Sequence, residues 1–513
     1  MKKTMRIGTL SCIMMLTASM MLSACDTSTS STGSQSTPAA AGDGNKQLAT
    51  IKLVYPGSPQ ADEAKIEEAI NQKLASTLNA KLDIMPIDWG QWENKINLMI
   101  ASREPVDIIF TAQWNGHAIN VSKGAFLPLN DDSLPKHGNL LKQYGKGITD
   151  SLDPIFLEGA KINGKNYGVP TNKELAAQGG VIYREDIAKE LNLDMSKVKK
   201  IEDLEAVLSA VKEKKPELTP LFLRDGDNLN SHYFSQYDYL GDSTIPGVIL
   251  KDDTSTKVVP KYELPRYKEI VNATRNLMKK GLVNKDAATT PLSGQDAMKA
   301  GNVFMITGSL KPGKDAEMAS VIGLQGKLKQ IDMTERTIST GETAGSMLGI
   351  SSASADPAKA MQFINLLHTD KELNNLLNFG IEGTHYVKTS GDIIKAGPQY
   401  KGYSPGAAWQ FGSQFLNYIW DNEDPKKWEQ FRAFNKDAKK SPGLGFTFNA
   451  EPVKTEVAAA ANIVKEFDPG LDTGSVEPDT VLPKYMEKLK ASGQDKIIAE
   501  KQKQFDSYLS TKK

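Results

Sequence analysis

Cysteine is nearly absent from this chain: Cys12 and Cys25 are the only two in 513 residues. Everything after Cys25 therefore lacks the means for a disulfide, a thiolate metal site or a cysteine nucleophile. Histidine is also scarce, and His117, His137, His232, His368 and His385 are scattered without ligand spacing. No HExxH or GxSxG sequence occurs. Neither sign of charge dominates, with 62 basic against 62 acidic residues. That balance gives no electrostatic ground for binding nucleic acid or for a polybasic membrane patch. Two near-motifs fail on inspection. Residues 159–166 (GAKINGKN) approach a phosphate loop, but Asn166 stands where Ser or Thr should ligate magnesium, and the segment reads better as a hairpin. Residues 225–230 (DGDNLN) begin like a calcium loop, yet Asn230 replaces the required Gly and Gln236 the bidentate Glu. The expectation is no metal and no cofactor.

The N-terminus is the informative end. Lys2, Lys3 and Arg6 precede an uncharged run over residues 7–24, and Leu22-Ser23-Ala24-Cys25 closes it. A basic start, an apolar stretch and a small-residue site together describe an export signal, with a spanning helix as the alternative. The tetrapeptide resembles the lipobox of bacterial lipoproteins, which implies a signal over 1–24 and a diacylated Cys25 at the new N-terminus. Removal of the signal leaves basic residues three short of the 62 acidic ones. The stretch 25–45 is then lipidated Cys plus tether: DTSTSSTGSQSTPAAAGDG cannot build a core. About 20 such residues span roughly 25 Å as a coil. The remainder, about 465 residues, is too long for one ordinary core and predicts two lobes.

From residue 51 the pattern alternates. Residues 51–55 (IKLVY) read as a strand, and Ile66, Ile70, Leu74 and Leu78 as one helix face. Residues 82–87 return as a strand, Trp92, Ile96, Met99 and Ile100 mark a second helix, and 106–110 (VDIIF) suit a buried parallel strand. This order predicts an α/β lobe with a parallel sheet, ligands gathering at the carboxyl ends of its strands. Asn163-Gly164 predicts a hairpin. Later signals include a helix on Leu204, Val207, Leu208 and Val211, a Gly301 cap before a strand at 303–307, and Asp356-Pro357 opening a helix. One charged helix is expected over 483–508.

The order of motifs resembles the extracellular solute-binding lipoproteins of ABC importers, in the maltose-binding-like class. The matching pieces are 104–110 (EPVDIIF), 123–129 (KGAFLPL), 163–170, 182–186 (IYRED), 297–309 and 351–360. Residues 380–386 (GIEGTHY) and 445–454 are similar to a Gram-positive subgroup. The resemblance implies an α/β, two-lobe clamp of the periplasmic-binding-protein kind, with three interlobe crossings near 167–170, 345–348 and 383–388. Lobe one would comprise 46–169 with 345–385, and lobe two 170–344 with 386–513. It implies a monomeric receptor on the extracellular face of the cell membrane, held there by its lipid, that delivers solute to ABC permease subunits.

Sugar rings present C–H faces that stack on indoles and phenols, and hydroxyls that need fixed partners. Trp89, Trp114 and Tyr183 follow or end predicted strands, and Trp409 lies in a Gly-flanked loop; Trp92, Trp420 and Trp428 read as packing. Gln113, Glu174, Arg224, Ser309, Glu342, Glu382 and His385 are the expected polar partners. Arg224 could pair with an acidic sugar or with Asp225 or Asp227. The expected ligand is an oligosaccharide. The resemblance implies a receptor and not a catalyst; the alternatives are a receptor for a peptide or other small solute and, behind it, a carbohydrate-active enzyme built on two of the 62 carboxylates.

Overall fold

Apolar residues at every fourth position dictate the first helix. Within α1 (Glu63–Thr77), Ile66, Ile70 and Leu74 share one face and are fully buried against the sheet. The helix links β1 (Ala49–Pro56) to β2 (Ala80–Ile87), and α2 (Trp89–Ser102) links β2 to β3 (Ile108–Thr111). Trp92, Ile96 and Met99 form the buried face of α2. The computed structural model describes residues 48–512; the signal, Cys25 and the tether lie outside the described residues.

Six further strands complete two sheets: β4 (Val169–Pro170), β5 (Gln178–Arg184), β6 (Thr219–Phe222), β7 (Val303–Leu310), β8 (Leu328–Asp332) and β9 (Met347–Ile350). The first sheet runs β2-β1-β3-β9-β4 and the second β8-β5-β7-β6. β1 is parallel to β2 and β3, as the alternating pattern predicts. β9 and β4 are antiparallel to their neighbours, so the first sheet is mixed rather than wholly parallel. The reason is topological: β9 arrives from the other half of the molecule, not through a βα crossover. In the second sheet β7 is parallel to β6 and antiparallel to β5.

Separate cores follow. One surrounds the first sheet (Leu53, Ile108, Ile350, Phe363), a second packs on the other sheet (Val181, Leu208, Phe304), and a third joins Tyr237 and Tyr267 to Tyr485 and Phe505. The Asn163-Gly164 hairpin forms, both residues at positive φ of 52° and 77°. Asp356 caps Pro357–Thr369, its carboxylate accepting from the Lys359 N–H at 3.0 Å. Among the described residues no helix is long and apolar enough to cross a membrane.

Two expectations differ from the structure. The C-terminal charged helix is two, Pro478–Ala491 and Gln494–Thr511, because Gly493 turns left-handed at φ 93° and lets both pack on the third core. Second, residues 383–388 stay with the first half. His385 is fully buried, its Nδ1 accepting from the Ile381 N–H at 3.0 Å and its Nε2 3.2 Å from Asp62. Tyr403, Ala407 and Phe411 still belong to the first core. Buried Asn375 keeps this segment there, donating to Leu416 O and accepting from the Tyr418 N–H. The chain leaves between Leu444, in the first core, and Phe446, in the third, just after Lys439–Lys440 pairs with Thr337–Ile338.

Where the halves meet, Asn172 donates to Gly412 O at 2.8 Å. At Gly412 φ is +53° and an added Cβ would lie 2.0 Å from Leu367 O, whereas Gly124, at φ +73°, faces open space. Left-handed backbone alone costs an L side chain about 1–2 kcal/mol. Gly412→Ala should therefore lose clearly more stability in urea unfolding than Gly124→Ala. Equal losses would show that the meeting point is not tightly packed.

Candidate functional site

The parallel strands β1, β2 and β3 point their carboxyl ends the same way, and three indoles collect there. Trp89 is the first residue of α2, directly after β2. Trp114 sits in a single 3-10 turn, Gln113–Asn115, directly after β3. Trp409 comes from a distant turn, Ala408–Gln410, which Gln410 fixes by donating to Pro56 O at the end of β1, 2.9 Å away. The ring centres of Trp89 and Trp409 are 6.3 Å apart with planes within 7° of parallel, and Trp89 and Trp114 are 5.9 Å apart. Phe110 lies against both Trp114 and Trp409. Trp114 remains 37% exposed, the only tryptophan among the exposed large apolar side chains of the described residues. The result is an aromatic platform open on one side. Trp92, by contrast, is buried and donates to Asn115 Oδ1.

The segment 344–346 holds this platform. The Gln113 N–H donates to Ala344 O at 2.9 Å, the Trp114 indole to Gly345 O at 2.7 Å, and Ser346 Oγ to Trp409 O at 2.9 Å. The Gln113 side chain is buried, and its Nε2 has no protein partner. Glu174 reaches the same place. It pairs with Lys173 at 3.0 Å and Lys311 at 3.4 Å, and the Gln414 amide bridges it to the Trp409 N–H. Burial works to raise the Glu174 carboxyl, but the two lysines outweigh it and hold it below its ordinary range.

The second sheet carries polar groups of its own at and beyond its strand ends. Arg224 follows the carboxyl end of β6 and pairs with Asp227 at 3.2 Å, the structural alternative that its sequence context left open. The Arg224 Nε is buried without a hydrogen-bond partner, whereas the Tyr233 hydroxyl lies close to the Thr307 hydroxyl and the Asp227 carboxylate. Buried polar atoms are ordinarily satisfied, which sets the Arg224 Nε and the Gln113 Nε2 apart from their surroundings. His232 stacks edge-on with Tyr233 and lies 3.9 Å from Glu342. Its side chain is 37% exposed, yet protein crowds around it. That crowding, with Lys251 and Lys173 adding to it, pushes the imidazole down to about 4, so it is neutral at pH 7.

Five of the expected site residues thus come together: Trp89, Trp114, Trp409, Gln113 and Glu174. Arg224 lines the second sheet's strand ends, and Ser309 is exposed on β7 opposite Gly179. The other four sit elsewhere for identifiable reasons. Tyr183 is buried in the second core against Phe304. Glu342 closes a capping box with Ser339 and pairs with buried Lys251 at 2.6 Å. Burial opposes its charge, but Lys251 prevails and keeps the carboxyl low. Glu382 is half exposed in a surface pair with Lys388, and His385 is locked to Asp62. His232, Tyr233 and Phe110 were missed, since nothing in a lone histidine or a strand phenylalanine signals a site. A cavity of about 940 Å³ between the 161–166 hairpin and the C-terminal helix has none of the indoles in its walls.

Several contacts join the platform's half to the other. Glu93 of α2 pairs with Lys465, Gly90 lies against Pro291, and the Gly116 N–H approaches the Asp242 carboxylate.

Comparison with known proteins agrees with this geometry. A carbohydrate ABC transporter substrate-binding protein of Streptococcus pneumoniae is 31% identical over 483 residues, covering 92% of this chain and 93% of that one. The N-glycan transport solute binding protein NgtS of S. pneumoniae, solved in complex with Man5GlcNAc, is 30% identical. It matches with a TM-score of 0.82 over 91% of this chain and 99% of its own. A second NgtS crystal structure, also 30% identical, covers 91% and 100% with a TM-score of 0.76. Residues 442–510 match a domain of unknown function. Residues 57–372, more than half of the chain, match the bacterial extracellular solute-binding proteins. With that match and a relative of this identity along nearly its whole length, the chain belongs to the bacterial extracellular solute-binding protein family.

Proposed function

We propose that this protein is the receptor of an ABC importer and captures an oligosaccharide on the Trp89–Trp114–Trp409 platform. The observation that carries the reading is the convergence of three indoles at the carboxyl ends of three parallel strands, where α/β sheets bind ligands. Indole faces suit the C–H faces of sugar rings, and the unpartnered Gln113 and Arg224 nitrogens suit hydroxyls. Charge favours a neutral glycan. Glu174 faces Lys173 and Lys311, Arg224 faces Asp227, and Glu342 faces Lys251, so each of these cations already has its carboxylate. NgtS, a relative of similar length, is described with Man5GlcNAc, which supports the same class.

The receptor would work as a lipid-held monomer outside the cell membrane. It would close on its ligand about the segments near 170–172, 344–346 and 441–446, where Thr171 donates to Ser346 O and the Ser441 N–H to Ile338 O. The Glu93–Lys465 and Gly90–Pro291 contacts suit a closed state.

Four measurements test this. A thermal-shift series should show Man5GlcNAc or a related neutral oligosaccharide raising the melting temperature without being turned over. Stabilisation by peptides and by no saccharide at millimolar concentration would overturn the sugar reading. Trp114→Ala should weaken a saccharide hit about tenfold or more, as a lost stacking contact near 1.4 kcal/mol requires. Small-angle scattering should show a smaller radius of gyration with that saccharide bound; an unchanged profile at saturation would rule out closure. Cys25→Ala should release the processed protein from the membrane fraction or block its maturation, because two acyl chains are what stable anchoring needs. Tight membrane retention of a processed alanine variant would place the anchor elsewhere.

A further inference from the structure

The C-terminal helix Gln494–Thr511 is charged along its length, yet Lys501 points inward and is fully buried. Its Nζ lies 3.0 Å from Tyr239 O, 2.9 Å from Gly247 O and 3.3 Å from Ile245 O. An ammonium has three protons, and here three backbone carbonyls accept them. The ring of Phe448 covers the remaining side, its centre 5.3 Å from Nζ. Burial works against the charge and draws the group down to about 7, while the Asp238 and Asp242 carboxylates nearby favour it. Asp238 is itself engaged with Ser441 Oγ and the Leu240 N–H.

Those carbonyls belong to one loop whose backbone is unusual. Leu240, Gly241 and Gly247 all have positive φ, of 56°, 159° and 98°. Leu240 is a branched residue in the left-handed region, a conformation that persists only where the surroundings enforce it. Carbonyls from 239, 245 and 247 turned to a single point would repel one another without a cation between them. The loop also carries Asp242, whose carboxylate the Gly116 N–H approaches. Gly116 ends the turn that presents Trp114.

We infer that the 239–247 loop forms a monovalent-cation cage filled by the protein's own Lys501 ammonium. The cage takes a small cation with N–H donors or bare positive charge, of the ammonium or potassium type. The inference is independent of which solute the protein binds.

The test uses the full chain with two substitutions. Lys501→Ala leaves room for a free cation, and Lys501→Met fills the space without charge. Thermal unfolding and hydrogen exchange are measured in ammonium or methylammonium chloride against tetramethylammonium chloride at equal ionic strength. Wild type should be indifferent to the cation. Lys501→Met should exchange the amides of 239–247 about tenfold faster or more, and no cation should restore them. Lys501→Ala should lose stability and recover a large part of it in ammonium or methylammonium only. If Lys501→Met matches wild type in exchange across 239–247, the inference is overturned, whether or not the alanine variant folds. Equal behaviour of Lys501→Ala in ammonium and tetramethylammonium overturns it as well.

Discussion

The segment 344–346 does two jobs, and most of the site depends on it. It runs from the turn Thr340–Thr343 into β9, joining the two halves, and it spends three consecutive polar groups on the platform. Ala344 O holds the Gln113 N–H, Gly345 O holds the Trp114 indole and Ser346 Oγ holds Trp409 O. Backbone groups of a crossing segment would otherwise need water or a partner strand. Because they are bonded to the platform, any rotation about this segment carries Gln113, Trp114 and Trp409 with it. In the proposed mode of binding, ligand contact and closure are therefore one constraint.

Charge is handled by the same economy. Lys311 lies between Glu174 and Glu317, Lys427 between Glu317 and Glu423, and Lys251 against Glu342, all with little exposure. A buried ion alone would cost several kcal/mol, so each of these has a partner of opposite sign. Pairing makes the junction polar without making it a charged trap. Truncating one member leaves its partner stranded, which is why Glu342 belongs to the scaffold although it lies within 4 Å of His232.

The local pattern was legible where one physical rule dominated. Ile66, Ile70 and Leu74 had to share a buried face, Asn163-Gly164 had to turn, and Asp356-Pro357 had to open a helix. Trp89 and Trp114 were placed at strand ends because strands followed by indoles are visible in sequence. The last hundred residues were harder. Pro483 marked no boundary, since it lies inside a helix, and Ser492-Gly493 marked a true break that looked like one more loop-tolerant pair in a charged run. The role of residues 383–411 was hidden because buried Asn375 and His385, polar residues in no recognisable motif, hold that segment to the first half.

By itself, the sequence determined the βα opening, the scarcity of cysteine, the placement of Trp89 and Trp114 after strands and the kind of protein its motif order resembles. These follow from local periodicity and composition, which need no partner from elsewhere in the chain. Only the tertiary structure decided that Trp409 joins Trp89 and Trp114, across a sequence separation bridged by the Gln410–Pro56 hydrogen bond, whose partners are 354 residues apart. It likewise decided that Glu342, Tyr183 and His385 serve the scaffold. Whether a polar side chain is spent on the protein or left for a ligand depends on which atoms lie within about 3 Å of it. That distance is set by packing between remote segments, and spacing along the chain does not encode it.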